Sequence, residues 1–120
     1  QEMELMREAG FHPLEIFQSA SLKGAEVLGV DGQLGTIEVG KLADMVIVDA
    51  NPMANLKVLF GTGSILVNED NEVTRHGGVV YTIKDGIVFD AKALLKDVEE
   101  MVKSAKDDEG TDITQPGLDY

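Results

Sequence analysis

Cysteine is absent from this 120-residue sequence. The chain therefore cannot form disulfides, thiolate zinc sites or cysteine nucleophiles. The absence is compatible with any compartment and assigns no localisation. Long apolar runs are also missing, since none approaches the ~20 residues that a membrane-spanning helix needs, and no signal-peptide pattern occurs. We expect no membrane among the partners of this chain.

Basic residues are scarce. Ten Lys and Arg stand against 22 Asp and Glu, which gives a formal net charge of −12. This excess of negative charge argues against nucleic acid or an anionic membrane surface as the main partner. The apolar fraction of 43% is ordinary for a globular protein. A chain of this length is expected to bury a real core, roughly two-thirds of its unfolded surface.

Histidine occurs only twice, as His12 and His76. Metal sites need several converging ligands, usually with one close pair in sequence, and neither His-x-His nor His-x-x-x-His is present. His12 precedes Pro13 and is expected at a helix start. His76 precedes two glycines and is expected in a polar turn. The sequence predicts no metal ligand in this chain.

Two glycine-rich or acidic stretches imitate binding loops. Residues 35–41 match most of a phosphate-binding P-loop, but Leu42 stands where that motif needs Ser or Thr, and a strand follows in place of a helix. Residues 68–72 resemble a calcium loop, but Val73 stands where the sharp turn needs glycine. We interpret the first as a tight turn and the second as a solvated acidic loop.

Three further side chains are candidates for catalytic groups. Asp44 and Asp49 flank an apolar run, and hydrogen bonding to turn amides is the commoner role for such carboxylates. Ser64 lacks the Gly-x-Ser-x-Gly elbow and an evident histidine partner. The sequence therefore predicts no catalytic, cofactor-binding or metal-binding residue within 1–120.

The hydrophobic pattern divides the chain into a helical and a β-rich part. Helices are expected over residues 1–9, from Pro13 onward, and from a cap at Ser21 to Gly29. Asp85-Gly86 between two apolar runs predicts a β-hairpin. The run Met45–Val48 reads as a strand buried on both faces. The expected strands are Thr36–Glu38, Met45–Val48, Val58–Phe60, Ser64–Asn68, Val79–Lys84 and Ile87–Phe89.

The last part of the chain reads as one amphipathic helix and a tail. The helix is expected over 91–106, and residues 107–120 are expected to form a flexible acidic tail. The chain starts at Gln1 directly inside a helix-like pattern. That start suggests a fragment, a processed product or a trimmed chain. The stripe of the helix comprises Leu94, Leu95, Val98, Met101 and Val102.

Three motifs carry a family resemblance. Residues 13–15 read Pro-Leu-Glu, and residues 24–29 read Gly-Ala-x-x-Leu-Gly. Residues 35–49 read Gly-x-Ile-x-x-Gly-Lys-x-Ala-Asp-x-Val-x-x-Asp. Taken together, these stretches resemble the C-terminal region of the metal-dependent amidohydrolase superfamily. The imidazolonepropionase-like and prolidase-like branch is the nearest.

The resemblance implies a particular architecture and chemistry. Family members combine a (β/α)8 barrel, which carries one or two divalent metals, usually zinc, with a small β-sandwich built from both chain ends. A metal-activated water hydrolyses a C–N bond. The family's ligands would all precede Gln1, so none is assigned here.

The implied fold class is an α+β fragment with four parts. Residues 1–29 would be the last barrel helices, and 30–90 the C-terminal half of the composite sandwich. Residues 91–106 would be an added helix, and 107–120 the tail. The expected partner is the remainder of the amidohydrolase chain, with a tendency to form homo-oligomers through uncovered sheet faces.

Two functions compete at this point. In the first, the chain is a structural portion of a C–N hydrolase, inactive alone and binding no metal, while the parent protein is an enzyme with a divalent metal. In the second, it is a stand-alone β-rich protein-interaction module. A His-x-His upstream of Gln1 would favour the enzyme.

Overall fold

The computed structural model describes residues 1–107 as four α-helices, two short helical turns of other kinds and five strands. The predicted tail lies outside the described residues except for Asp107, with which the last helix ends. The helices are α1 (Glu2–Glu8), α2 (Pro13–Gln18), α3 (Gly24–Leu28) and α4 (Ala91–Asp107), with a π-helical turn at Ser19–Lys23 and a 3-10 turn at Leu56–Leu59. The strands are β1 (Met45–Val48), β2 (Ser64–Val67), β3 (Val73–His76), β4 (Val79–Lys84) and β5 (Ile87–Asp90).

The second and third helices form one continuous helical segment. His12 caps its start, because its Nδ1 accepts from the amide of Leu14 at 3.3 Å while Glu15 Oε2 accepts from the His12 amide at 2.7 Å. Proline at the first helical position suits this start, since its missing N–H would be unpaired there anyway. The predicted helix start at His12 is confirmed.

The prediction that Ser21 caps a separate helix is wrong. Ser21 lies inside the π-helical turn, and its Oγ donates to the carbonyl of Phe17 at 2.6 Å. The hydroxyl thus bonds back onto its own helix instead of opening a new one. The segment ends where predicted, at Gly29, whose φ of 70° is the left-handed conformation that closes many helices.

A three-stranded antiparallel sheet contains β1, β4 and β5 in the order β1-β4-β5. The hairpin between β4 and β5 turns at Asp85 and Gly86, with φ of 55° and 79°. Positive φ at both turn residues twists the hairpin in the sense that the strands need, so the predicted hairpin is confirmed. A bulge between Ile47 and Val48 shifts the register of β1 on β4.

A second sheet consists only of the β2–β3 hairpin, with Ser64 opposite His76 and Val67 opposite Val73. Residues 68–72 close it, because the side-chain oxygen of Asn68 accepts from the amides of Asp70 at 3.0 Å and Glu72 at 2.8 Å. This loop is exposed, as predicted. β3 was not predicted, so His76 lies in a strand and not in the expected turn.

Two predicted strands do not form. Residues 36–38 are irregular. Val58–Phe60 was expected as a strand, but Leu56–Leu59 is a 3-10 turn whose start is fixed by Asn55, since Asn55 Oδ1 accepts from the amide of Lys57 at 3.0 Å. A side-chain cap of this kind offers the backbone an alternative to strand pairing.

The core of the described residues is small. Its buried apolar side chains are Ile16, Ala25, Leu56 and Val58. Val46 and Ile47 on β1 are 55% and 46% exposed. The expectation that β1 is buried on both faces is therefore wrong for the described residues. No second layer within residues 1–107 covers either face of β1 fully.

α4 packs on the three-stranded sheet, with contacts to the central strand β4 and to the edge strand β5. Leu94, Val98 and Met101 of this helix remain at least half exposed. Among the helices of residues 1–107, none has the length and apolar character to cross a membrane.

Candidate functional site

The two histidines do not form a site. His12 is engaged in capping α2, and His76 lies at the end of β3 opposite Ser64. Within residues 1–107, no group of three or more His, Cys, Asp or Glu side chains is arranged to hold a metal ion. The described residues therefore do not fit a catalytic metal.

Residues 35–41, which resemble a P-loop, form a turn that is held by hydrogen bonds among its own side chains. Lys41 Nζ donates to Thr36 Oγ1 at 2.5 Å, and that hydroxyl donates to Glu38 Oε1 at 2.6 Å. The hydrogen bond from Thr36, with the charge of Lys41 as a second cause, holds the pKa of Glu38 below its ordinary value. Only 13% of the Lys41 side chain is exposed, so the lysine is held inside the turn rather than presented to a phosphate.

Gly35 joins this turn to the helices. Its φ is 95°, and a Cβ added there would lie 2.9 Å from the Cβ of Ala25 and 2.9 Å from the Cα of Leu22. Leu22 belongs to the π-helical turn and Ala25 to α3. Glycine is needed here for both conformation and close approach. The turn at residues 35–41 therefore packs directly against the helices through Gly35.

Ile37 and Val39 project from the outside of the same turn. Ile37 is 86% exposed and Val39 is fully exposed. Together with Val46 and Ile47 on β1 they form a set that we call the exposed motif residues, since all four belong to the motif at 35–49. Water contact of so much apolar surface in one motif is typical of an interaction site.

Asp44 anchors the start of β1 to the β4–β5 hairpin. Its Oδ1 accepts from the amide of Asp85 at 2.7 Å, and its Oδ2 binds Lys84 Nζ. The hydrogen bond from Lys84, followed by that from the Asp85 amide, lowers the pKa of Asp44. The same contact raises the pKa of Lys84. The predicted role of Asp44, hydrogen bonding to a turn amide, is confirmed.

Asp49 anchors the other end of β1. Its Oδ2 lies 3.3 Å from Lys92 Nζ at the start of α4. The prediction of a turn-amide partner for Asp49 does not match this ion pair. The two carboxylates therefore hold β1 between the hairpin and α4.

Ser64 is buried and structural. It is 4% exposed, and its Oγ accepts from Asn55 Nδ2 at 3.4 Å. Next to it, Gly77 approaches Val58 so closely that a Cβ on Gly77 would lie 2.5 Å from the Val58 Cβ. The amide of Gly78 donates to the carbonyl of Val58 at 2.9 Å. Sequence reasoning missed this junction, although the adjacent glycines before β4 were a signal for close backbone approach.

The chain also holds its helical and β-rich parts together by polar contacts. Arg7 donates to the carbonyl of Ala54 at 3.2 Å, and Lys57 lies 3.9 Å from Glu4. The described residues also leave apolar surface uncovered. They bring together no nucleophile, base or metal-ligand set.

Comparisons with known proteins agree with the motif-based resemblance. Residues 1–88 match the sequence profile described as the Amidohydrolase family. A 5'-deoxyadenosine deaminase of Methanobrevibacter smithii is 32% identical over 108 residues, which are 88% of this chain and 24% of that protein. An imidazolonepropionase of Fusobacterium nucleatum is 33% identical over 69 residues, 58% of this chain and 16% of that protein.

A solved structure gives the same result. A Xaa-Pro dipeptidase with bound methionine in its active site shares 31% identity and a TM-score of 0.56, over 74% of this chain and 18% of that one. The present chain spans about a quarter or less of the relatives that it matches. Because the family profile covers residues 1–88, most of its length, this chain belongs to the amidohydrolase family.

Proposed function

We propose that this chain is the C-terminal scaffold portion of a hydrolase acting on C–N bonds of the amide or cyclic-amide type. Family membership and the names of the relatives support the reaction class, since they include a deaminase, an imidazolonepropionase and, in Caenorhabditis elegans, an N-acetylglucosamine-6-phosphate deacetylase. The chain matches 24% or less of each of these proteins. The reaction is therefore assigned to the parent protein and not to residues 1–120 alone.

One observation carries the scaffold role: the exposed motif residues belong to the family's own motif. Val39 is fully exposed and Ile37 is 86% exposed, although the turn that carries them is held rigidly by Lys41 and Gly35. A soluble protein rarely leaves apolar groups on a rigid turn uncovered without a partner surface. The remaining three-quarters of the parent protein is the partner that we assign to them.

The architecture follows the same division. We assign residues 1–29 to the last helices of a (β/α)8 barrel, because the described residues are helical from Glu2 to Leu28 apart from a short connection. We assign 30–90 to the C-terminal half of a composite β-sandwich, because β1, β4 and β5 form a sheet with little cover. α4 follows as an addition on the sheet.

The family is generally metal-dependent, and we assign the metal to the parent protein. The described residues offer no ligand group for it. We therefore assign no reacting group to residues 1–107. The contribution of this chain is to hold the barrel end and the sandwich half in a fixed relation through the contacts of Gly35, Arg7 and Lys57.

The second function, a stand-alone β-rich interaction module, draws its support from the uncovered α4 residues and the exposed β2–β3 hairpin. The two functions differ in what precedes residue 1 in the gene. A reading frame that encodes a His-x-His near its start supports the hydrolase. A start codon just before Gln1 supports the module.

The experiment compares two purified proteins: the product of the whole reading frame and the chain 1–120. Metal content is measured by mass spectrometry after dialysis, and hydrolysis is assayed on amides, cyclic amides and amino-substituted purines. We expect metal and turnover in the whole product and neither in 1–120. Stoichiometric zinc or turnover in 1–120 would overturn the proposal.

A further inference from the structure

The dipeptide Asp-Gly occurs twice in the sequence, at residues 31–32 and at residues 85–86. Both aspartates are exposed. In such a pair, the main-chain nitrogen of the glycine can attack the side-chain carboxyl carbon of the aspartate, because no Cβ on the glycine shields that nitrogen. The two pairs therefore offer the same chemistry, and they differ in how the surrounding backbone is held.

The second pair is held at both of its amides by the β4–β5 hairpin turn. The amide of Gly86 donates to the carbonyl of Ala43 at 3.2 Å. The amide of Asp85 donates to Asp44 Oδ1 at 2.7 Å. Both turn residues also have the positive φ that this type of hairpin requires. The nitrogen that would attack is thus engaged, and turning it toward the Asp85 carboxyl group would break the contacts of the turn with Ala43 and Asp44.

The first pair lies in a single turn that follows α3. The carbonyl of Val30 closes this turn, since it accepts from the amide of Gln33 at 2.9 Å and from the amide of Leu34 at 3.0 Å. The amide of Gly32 donates to no group among residues 1–107. A turn that is closed through one carbonyl opens locally at a lower free-energy cost than a turn between two paired strands. The nitrogen of Gly32 is therefore the more available of the two.

We propose that Asp31 is a site of isoaspartate formation in this protein and that the hairpin protects Asp85 from the same reaction. The nitrogen of Gly32 bonds to Cγ of Asp31, and its proton leaves with the hydroxyl group of the protonated carboxyl group as one molecule of water. The product is a cyclic succinimide. Water then adds to one of its two carbonyl carbons. Cleavage of the Cγ–N bond restores aspartate, whereas cleavage of the bond between the nitrogen and the original main-chain carbonyl gives isoaspartate.

Isoaspartate changes the length of the main chain at this turn. The chain then runs through Cβ and Cγ of residue 31, which adds one carbon between Val30 and Gln33, the two residues that the 2.9 Å hydrogen bond joins. The carbonyl of Gln33 also accepts from the amide of Leu42 at 3.0 Å. The modification therefore alters the connection between α3 and the motif at 35–49.

The test ages the product of the whole reading frame for several weeks at neutral pH, once folded and once unfolded in guanidinium chloride. Trypsin releases the two pairs in separate peptides, 24–41 and 85–92, and electron-transfer fragmentation measures the isoaspartate in each. We expect formation to be at least tenfold faster at Asp31 than at Asp85 in the folded protein, and within about threefold in the unfolded one. Equal rates in the folded protein, or an undiminished preference after unfolding, would overturn the proposal.

Gly32→Ala is the matched variant. A Cβ on Gly32 meets nothing within 4 Å, and φ at Gly32 lies outside the left-handed region, so the alanine fits the turn. Its methyl group shields the attacking nitrogen. We expect isoaspartate to form at least fivefold more slowly at Asp31 and within twofold of wild type at Asp85, and an unchanged rate at Asp31 would contradict attack by this nitrogen. The inference does not rest on the proposed function, because these peptide measurements are independent of whether the product hydrolyses any substrate.

Discussion

The carboxylate of Asp44 accepts a hydrogen bond from the backbone amide of Asp85 at 2.7 Å, across 41 positions of sequence. The same carboxylate binds Lys84, the last residue of β4. The contact fixes the start of an edge strand to the hairpin turn that lies beside it. Asp44 is therefore a structural residue of the motif at 35–49.

Stability should depend on the ionisation of Asp44. Its pKa is lowered in the folded chain, so the contact stabilises the fold above the ordinary carboxyl pKa and is lost as pH falls through the folded value. The pKa of Lys84 is raised in the folded chain. Its contribution to stability is therefore fully present below the ordinary pKa of lysine and is lost as the pH rises through the raised pKa. Asp44→Asn keeps an oxygen for the Asp85 amide but removes the charge.

The measurement is the melting temperature of wild type and Asp44→Asn from pH 3 to pH 8. We expect the variant to melt lower at neutral pH and the two curves to converge below the pKa of Asp44. Asp31→Asn serves as a control of equal charge change, because Asp31 is an exposed carboxylate in a turn. A gap between the curves that is independent of pH would refute the electrostatic account.

Gly35 and Gly40 share a left-handed backbone but differ in surroundings. Their φ values are 95° and 93°, yet a Cβ on Gly40 meets nothing within 4 Å, whereas one on Gly35 strikes Leu22 and Ala25. We expect Gly40→Ala to destabilise by about 1 kcal/mol through the backbone alone. Gly35→Ala should add roughly 1–3 kcal/mol of overpacking. Urea unfolding of the two variants checks this, and equal losses would show that the turn does not pack on the helix.

Val58 is the best-buried side chain of the β-rich part, at 1% exposure. Truncation to alanine removes two methyl groups from a site walled by Gly77 and should destabilise by about 2 kcal/mol. Val27→Ala is the matched control, since Val27 is 86% exposed and its loss should stay within about 0.5 kcal/mol. Thermal or urea unfolding measures both, and similar losses would contradict the described core.

Sequence patterns predicted the elements whose causes are local. Asp85-Gly86 supplies the positive φ that its hairpin needs, His12-Pro13 supplies a cap and a fixed first turn, and Gly29 supplies the left-handed helix end. These signals act within a few residues. They therefore survive whether or not the rest of a protein is present.

The sequence-based predictions are wrong where burial or strand pairing depends on residues far away in the sequence. β1 is predicted from the sequence to be buried on both faces, but Val46 and Ile47 remain about half exposed because residues 1–107 provide no layer that covers either face fully. β3 forms only because Val73 and His76 lie opposite β2 across an Asn68-centred loop. A strand was expected at 58–60, but the side chain of Asn55 accepts a hydrogen bond from the amide of Lys57 and starts a 3-10 turn there. The position of Asn55, two residues before Lys57, was a sequence signal for such a turn.

In the candidate site, too, local features could be predicted from the sequence and long-range contacts could not. The family was evident from the motif spacing, whereas the packing of Gly35 on Leu22 required the folded structure. The hydrogen bonds among Thr36, Glu38 and Lys41 could have been predicted from the sequence, because three polar side chains lie close together within one turn.

We propose that the rest of the parent protein covers the exposed motif residues. Hydroxyl-radical footprinting of Ile37 and Val39, in the chain 1–120 and in the whole product, measures this directly. The account predicts strong oxidation of both side chains in 1–120 and at least fivefold protection in the whole product, with the exposed Val27 unchanged as a reference. Equal oxidation of Ile37 and Val39 in the two proteins would contradict it.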